Sequence, residues 1–258
     1  MYNKIKRSLT FRLFKLKEIL VNFARIKALD YEHTKLLIYV DNFLEFDTRA
    51  YSCSKEPETV DWIEKYCTTG TIFYDLGANI GAYSLVAASL GANVYSFEPA
   101  YQNFYKISEN ISLNSLDSKI HCFPVAFSSK VSIDEFVYQD TKLATSRCFY
   151  NDKSQFRFEN NEKTIKKSTL IYSLDTFIKQ FNLPQPEMIK IDVDGAEEDI
   201  LKGAVDTLSS NGLKTVLVEI DELMLSSLSI ITLMEKYSFK LHSKHVRDPR
   251  TNNYIFVK

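Results

Sequence analysis

Four residues of this 258-residue chain have the types and spacing that constrain its chemistry most: Asp75, Gly77, Gly81 and Glu98. Asp75 lies in Phe73-Tyr-Asp-Leu-Gly-Ala-Asn-Ile-Gly-Ala-Tyr83, and Glu98 ends the next apolar run, Asn93-Val-Tyr-Ser-Phe-Glu98. Glycines at 77 and 81 permit a tight turn and a close backbone approach to a ligand. The helix-compatible stretch behind them, Tyr83 to Leu90, aims its unsatisfied N–H groups at the same place. A dinucleotide loop is Gly-x-Gly-x-x-Gly, whose bare amides hold a pyrophosphate. Here an anion, Asp75, occupies that region; it repels pyrophosphate and suits a cationic amine. Glu98 follows about twenty residues later, where an acid takes the two hydroxyls of a ribose. Asn79 and Pro99 belong to the same two loops and join the candidate cofactor contacts. Ribose plus an amine, without pyrophosphate, describes S-adenosylmethionine. The plainer account is a simple turn, with Asp75 capping a helix and Glu98 a solvated strand end. Two acids and two glycines at this spacing disfavour it.

A second chemical stretch is Ile189-Lys-Ile-Asp-Val-Asp-Gly-Ala-Glu197. Lys190, Asp192 and Asp194 share a face if the strand stays regular. Buried parallel strands are normally continuously apolar, and unpaired buried charge is costly, so these residues need a reason. Methyl transfer from a sulfonium is an in-line displacement with the acceptor held about 3–3.5 Å away. An alcohol acceptor needs its proton taken. Asp192 at the strand end is the candidate base or orienter, and Lys190 the residue that keeps it ionised. The competing account is an internal ion pair that only braces the strand and the cofactor loop. Asp192, Asp194, Glu197 and Glu219 could also offer oxygen ligands to Mg²⁺ or Ca²⁺, but no histidine is positioned to join them. A divalent metal is the less favoured reading, and no metal ligand is assigned.

Further along, Ser243-Lys-His-Val-Arg-Asp-Pro-Arg250 reads as a polar loop on the acceptor side. Loops over a scaffold commonly carry specificity. His245 and Arg247, together with Glu197, are the candidate acceptor contacts; the competing account of the loop is a plain solvated one.

These segments must be positioned by alternating elements. Strands are expected near 71–76, 93–98, 119–126, 187–192 and 213–220, and helices near 81–90, 100–114, 174–181, 197–209 and 222–236. Such alternation gives a parallel sheet with helices on both faces. A terminal hairpin, Phe239–His242 with Tyr254–Lys258, supplies an antiparallel last strand. Ligands in these sheets bind beyond the carboxyl ends of the strands, where Asp75, Glu98, Ala126, Asp192 and Glu219 all fall. Ala126 and Asp192 are therefore counted as cofactor contacts as well. Residues 128–172 do not fit a simple crossover. Strands Val131–Tyr138 and Phe149–Tyr150 suggest an inserted hairpin or lid. Residues 35–48 read as two short strands around the turn pair Asp41-Asn42, and Pro57 starts a helix running to Cys67.

The sequence resembles the FkbM family of S-adenosylmethionine-dependent methyltransferases over roughly residues 50–220. The matching pieces are Lys55-Glu-Pro-Glu-Thr-Val60, Phe73 to Gly81, Phe97-Glu-Pro99, Asn110-Ile-x-Leu-Asn114 and Ile189 to Glu197. The family usually has Glu where this chain has Asp194, which keeps the charge and shortens the reach. The resemblance implies a class I Rossmann-like α/β fold, a doubly wound sheet with an antiparallel last strand, and methyl transfer, usually to oxygen. It leaves the acceptor open.

Composition sets the outer bounds. A hydrophobic content of 45% over 258 residues suits one sizeable core. The net charge of −1 gives no global drive toward nucleic acid, and the Asn/Asp-Pro-Pro-aromatic motif of base-modifying methyltransferases is absent. No apolar run approaches the length of a membrane helix, and the basic N-terminus lacks the apolar core of a secretory signal. Cys53, Cys67, Cys122 and Cys148 show no Cys-x-x-Cys spacing and read as reduced thiols. Residues 1–28 carry eight Lys or Arg against one acid, Glu18, with apolar residues at roughly helical spacing. That segment is either a helix packed on the core with a basic outer face or an amphipathic helix on an anionic membrane surface.

The combined expectation is a cytosolic O-methyltransferase, with membrane-surface contact through residues 1–28 as an alternative. Residues 1–56 form a basic helix and short hairpin, and 57–258 the Rossmann-like domain with 128–172 inserted. The acceptor is a hydroxyl of a sugar, glycan intermediate or small metabolite, and nucleic acid is not a partner. The rivals are a non-catalytic cofactor-binding scaffold and a nucleotide-cofactor oxidoreductase or epimerase. The last needs a pyrophosphate loop and a Tyr-x-x-x-Lys pair, neither of which is evident.

Overall fold

A computed structural model describes residues 20, 25–139, 148–150, 164–224, 226–247 and 250–258. In chain order, an antiparallel pair, β1 (Ile26–Ala28) and β2 (Leu37–Tyr39), precedes α1 (Phe43–Arg49), α2 (Ser52–Lys55) and α3 (Pro57–Tyr66). Alternation then runs β3 (Ile72–Leu76), α4 (Ala82–Ser89), β4 (Asn93–Phe97), α5 (Tyr101–Leu113) and β5 (Ile120–Phe123). A second sheet collects β6 (Ala126–Phe127), β7 (Ser132–Gln139), β8 (Cys148–Tyr150) and β9 (Thr164–Tyr172). The remainder is α6 (Leu174–Phe181), β10 (Met188–Ile191), α7 (Glu197–Lys202), α8 (Val205–Ser209), β11 (Thr215–Asp221), α9 (Ser226–Lys236), β12 (Lys240–Val246) and β13 (Thr251–Val257).

The main sheet has the order β12-β13-β11-β10-β3-β4-β5 among the described residues. β5, β4, β3, β10 and β11 run parallel, and β13 lies antiparallel between β11 and β12. This is the doubly wound α/β sheet with a reversed last strand that the sequence leads one to expect. Successive residues of a strand face opposite sides, so Phe73 enters one core and Tyr74 the other. The first core packs β1 to α3 onto α4 and α5 through Ile38, Ile63, Leu85 and Ile107. The second holds α6 to α9 through Phe177, Ile200, Leu208 and Met234.

Several local expectations are corrected. Residues 35–48 hold one strand, not two: Asn42 caps α1 by accepting from the Glu45 N–H at 2.9 Å, and Glu45 accepts from the Asp41 N–H at 2.8 Å. That reciprocal cap makes Asp41-Asn42 a helix start, and β2 pairs instead with β1. Residues 26–28 are thus strand rather than basic helix; Arg25 bonds Asp41, and Lys27 lies over the Phe46 ring. Most of the 1–28 segment, including Phe11, Phe14 and Phe23, lies outside the described residues. The strand expected over 119–126 ends at Phe123, because Pro124 has no N–H to continue the ladder. Its continuation, β6, pairs with β9, a strand the sequence reading missed. The helix expected over 197–209 divides at Gly203-Ala204, where Asp175 caps α8 by accepting from the N–H groups of Asp206 and Thr207. No helix among the described residues is long and apolar enough to cross a membrane.

Candidate functional site

The carboxyl ends of β3, β4 and β10 open onto a cavity of about 350 Å³, within the size range of small-ligand sites. The first wall is the loop after β3. Gly77 has φ 83° and Gly81 φ 89°, with Asn79 at 52° between them. A Cβ on Gly77 would lie 1.9 Å from the Asp192 backbone oxygen, so only glycine lets the two loops close on one another. The loop is pinned from β4: the N–H groups of Gly77 and Ala78 donate to the Phe97 carbonyl at 2.9 and 3.1 Å. Glu98 completes the anchor, accepting from the Asn79 N–H at 2.7 Å and the Ala100 N–H at 2.8 Å. Burial pushes the Glu98 carboxyl up to about 7, against the pull of those two N–H groups.

The second wall is the end of β10. Lys190 is buried and donates to Asp192 at 2.7 Å, with its ammonium 5.2 Å from the centre of the Tyr83 ring. Burial works against the Lys190 charge, but Asp192, Asp75 and Glu56 outweigh it and hold the pKa above that of an ordinary lysine. Burial also works against the Asp192 charge, and Lys190 outweighs that, keeping the carboxylate ionised and below its usual range. The strand ends at Ile191, so Asp194 does not continue the Lys190 face as expected; it sits in a turn at φ 55° before Gly195.

The third wall comes from residues 48–56 and the last hairpin. Thr48, Arg49, Lys55 and Glu56 reach the cavity, as do Glu219, Arg247 and Thr251. Arg247 donates to Glu56 at 2.8 Å and also to Glu219, tying α2–α3 to the end of β11.

Of the sequence candidates, Gly77, Asn79, Glu98, Pro99, Ala126, Lys190, Asp192 and Arg247 line this cavity. Gly81 does not; it is the N-cap of α4 and turns the loop into that helix. Asp75 lies behind the wall, fully buried, accepting from Ser84 Oγ at 2.5 Å, with its Oδ1 lacking a hydrogen-bond partner. Burial raises its pKa while Lys190 and Ser84 pull it down. Its expected contact with a ligand amine is therefore not direct in this arrangement. Glu197 is buried and folded back to accept from the Gly195 N–H at 2.9 Å; it shapes the turn and is absent from the lining, and burial pushes it up to about 7. His245 sits on strand β12 rather than in a loop, beside Ser243 Oγ, also away from the lining. The sequence reading missed Arg49, Lys55, Glu56 and Tyr83. The Lys-Glu-Pro-Glu piece was noticed, but nothing in its local pattern brings it to a strand end. Among the described residues no group of three or more His, Cys, Asp or Glu is arranged to hold a metal ion.

The residues present suit the cofactor read from the sequence. Asn79 Oδ1, on the wall, is a buried acceptor with no partner, which an amine or hydroxyl donor would satisfy.

Known proteins resemble this chain in sequence and in fold. A curated relative, the hexuronic acid methyltransferase AglP of Haloferax volcanii, is 28% identical over 149 residues, covering 58% of this chain. The match spans 55% of that protein, so this chain aligns with about half of the relative's length. The crystal structure of an S-adenosylmethionine-dependent methyltransferase from Agrobacterium tumefaciens superposes with a TM-score of 0.50 at 11% identity, covering 90% of this chain and 70% of that one. The model of the methyltransferase FkbM domain matches residues 75–241, the span that holds the glycine loop, Glu98 and the Lys190–Asp192 pair. With that match over most of the chain, this protein belongs to the FkbM methyltransferase domain family, whose methyl donor is S-adenosylmethionine.

Proposed function

We propose that this chain is an S-adenosylmethionine-dependent O-methyltransferase whose acceptor is a hydroxyl of a sugar, a glycan intermediate or another small metabolite. The observation that carries the reading is the pair of buried Lys190 and half-buried Asp192 at 2.7 Å, facing the same cavity as Glu98 and the glycine loop. The sugar preference draws on AglP, which is named for a hexuronic acid.

When bound, the cofactor supplies a methyl group on a positively charged sulfur, open to in-line attack. Glu98 accepts from the ribose hydroxyls, as strand-end acids do in such folds. Asn79 Oδ1 accepts from the amine, and Pro99, Ala126 and Phe127 offer the apolar surface for the base. Asp75 acts from behind, as a counter-charge for Lys190. On the acceptor side, Asp192 receives the hydrogen bond of the incoming hydroxyl and orients its lone pair. A carboxylate held below its usual pKa is a weak base in the ground state. The acceptor proton becomes strongly acidic as the new C–O bond forms, so a weak base is enough to take it. Lys190 keeps Asp192 charged and fixed through this change.

The test is transfer of labelled methyl from the cofactor to fractionated glycans, uronic acids and small metabolites, with the product assayed for an ether or ester methyl. Label in a hydroxyl-bearing fraction supports the reading. Cofactor-product binding without label in any fraction would leave a non-catalytic scaffold. Tight NAD binding without heat from S-adenosylhomocysteine would overturn the cofactor assignment.

A further inference from the structure

Lys190 is the least expected residue of the main sheet, an ammonium only 2% exposed on a central parallel strand. Among the described residues its one hydrogen bond goes to Asp192, at 2.7 Å. An ammonium carries three N–H donors, so most of its surface must meet something else. Asp75 stands opposite it on β3, in register, and contributes charge. The ammonium also lies over the ring of Tyr83, 5.2 Å from its centre. That is within the range of attraction between a cation and the negative face of an aromatic ring, and burial strengthens the attraction because water does not compete.

Tyr83 is held there at both ends. Gly81 caps α4 and puts Tyr83 in its first turn, next to Ser84, which bonds Asp75. The Tyr83 hydroxyl donates to the Ser52 carbonyl at 3.1 Å, at the start of α2. Swinging the ring off Lys190 breaks that hydrogen bond. The residue lines the cavity that Asp192 faces. Its hydroxyl does not suit the role of base: it is engaged by Ser52, and burial holds it protonated.

We propose that Tyr83 is a positioning residue of the methyl transfer: the face of its ring holds the Lys190 ammonium against Asp192 and so fixes the carboxylate that orients the acceptor. The step from this contact to turnover rests on the methyltransferase reading above; the contact itself does not. An aliphatic side chain would fill the space and offer the ammonium no negative surface.

The experiment places phenylalanine, para-fluorophenylalanine and trifluorophenylalanine at position 83 of the full chain. Fluorine drains negative potential from the ring face and leaves its volume nearly unchanged, so packing is kept while the pull on a cation weakens in steps. With isotope-labelled lysine, the Lys190 ammonium signal, identified by its loss in Lys190→Met, reports exchange with water. That exchange should quicken across the series by about tenfold in all. Methyl transfer to the hydroxyl-bearing fraction, at saturating donor, should slow by about the same factor, with S-adenosylhomocysteine affinity unchanged. Tyr83→Phe alone should keep turnover within about twofold of wild type, since the ring remains. Equal exchange in all three variants overturns the proposal, whether or not any acceptor takes label. Quickened exchange with unchanged turnover also overturns it, because the contact would then serve the fold alone. So does a fall of about a hundredfold in Tyr83→Phe, which would make the hydroxyl the working group. Failure of wild type to label any fraction, with exchange still quickening across the series, would overturn the methyltransferase reading while supporting the contact.

Discussion

Glu98 does two jobs whose requirements conflict. It anchors Asn79 and Ala100 where burial favours its protonated form, yet the ribose contact proposed for it calls for the ionised carboxylate. Its folded pKa of about 7 lies above that of an unfolded glutamate, so the folded protein holds this proton more tightly. The contribution of Glu98 to stability is therefore fullest at low pH and is lost as pH rises through about 7. Cofactor affinity runs the other way: the S-adenosylhomocysteine dissociation constant should rise by up to about tenfold per pH unit below 7. Titrations at several pH values would check this, and an identical slope in Glu98→Gln would exclude Glu98 as the source. Because Glu98 pins two loops, its replacement should also loosen them, which a sequence reading of Glu98 as a pure ligand overlooks. Asp192→Asn should lower turnover by about 10²–10⁴ with cofactor affinity largely kept, measured under saturating donor. Turnover within a few-fold of wild type would remove Asp192 from the chemistry. Gly77→Ala needs the loop to move away from the Asp192 carbonyl, so it should abolish cofactor binding in the same titration.

At the scale of elements, α5 joins the two sides of the site. Asn110 is fully buried; its side chain accepts from the Tyr39 N–H at 2.8 Å and donates to the Ile80 carbonyl at 2.8 Å. Asn114 repeats the pattern one turn on, pairing both backbone groups of Leu37. Two side chains of one helix thus stand in for a neighbouring strand beside β2, and one of them also holds the glycine loop. Asn110→Ala strands both partners, each worth about 1–3 kcal/mol. It should lower unfolding stability by about 2–5 kcal/mol in denaturant titrations and weaken cofactor binding with it. A stability change below about 1 kcal/mol would show that water replaces both bonds. The motif Asn110-Ile-x-Leu-Asn114 was visible in the sequence, but its purpose was not. Strand ends were legible because acids interrupt apolar runs there. The role of Asn110 depends on which strand lies across the helix, and local spacing carries no sign of that. The same holds for Arg49 and Glu56, ordinary surface types until the fold sets them on the cavity wall.

For the whole molecule, β1 to α3 are not an appendage. Leu29, Leu36, Ile38 and Val40 share one core with Leu85, Ile107 and Leu217, and Trp62 donates to Thr215 on β11 at 2.9 Å. Shared cores unfold together. The single tryptophan, Trp62, packed 5.8 Å from the Phe73 ring, therefore reports on both parts at once. Its fluorescence and the far-ultraviolet circular dichroism should give coincident denaturation curves. Separated midpoints would mean that β1 to α3 release first. The cavity has a matching division. The side proposed for the cofactor comes from loops after β3 and β4, whereas the opposite wall comes from residues 48–56 and from Arg247 and Thr251 in the last hairpin. Natural drift can therefore reshape what the enzyme recognises by exchanging two peripheral segments, while the central loops, fixed by their need to hold one unchanging nucleoside, stay as they are. Grafting both segments together from a relative should transfer acceptor choice. Grafting either one alone should break the Arg247 bridge to Glu56 and transfer nothing.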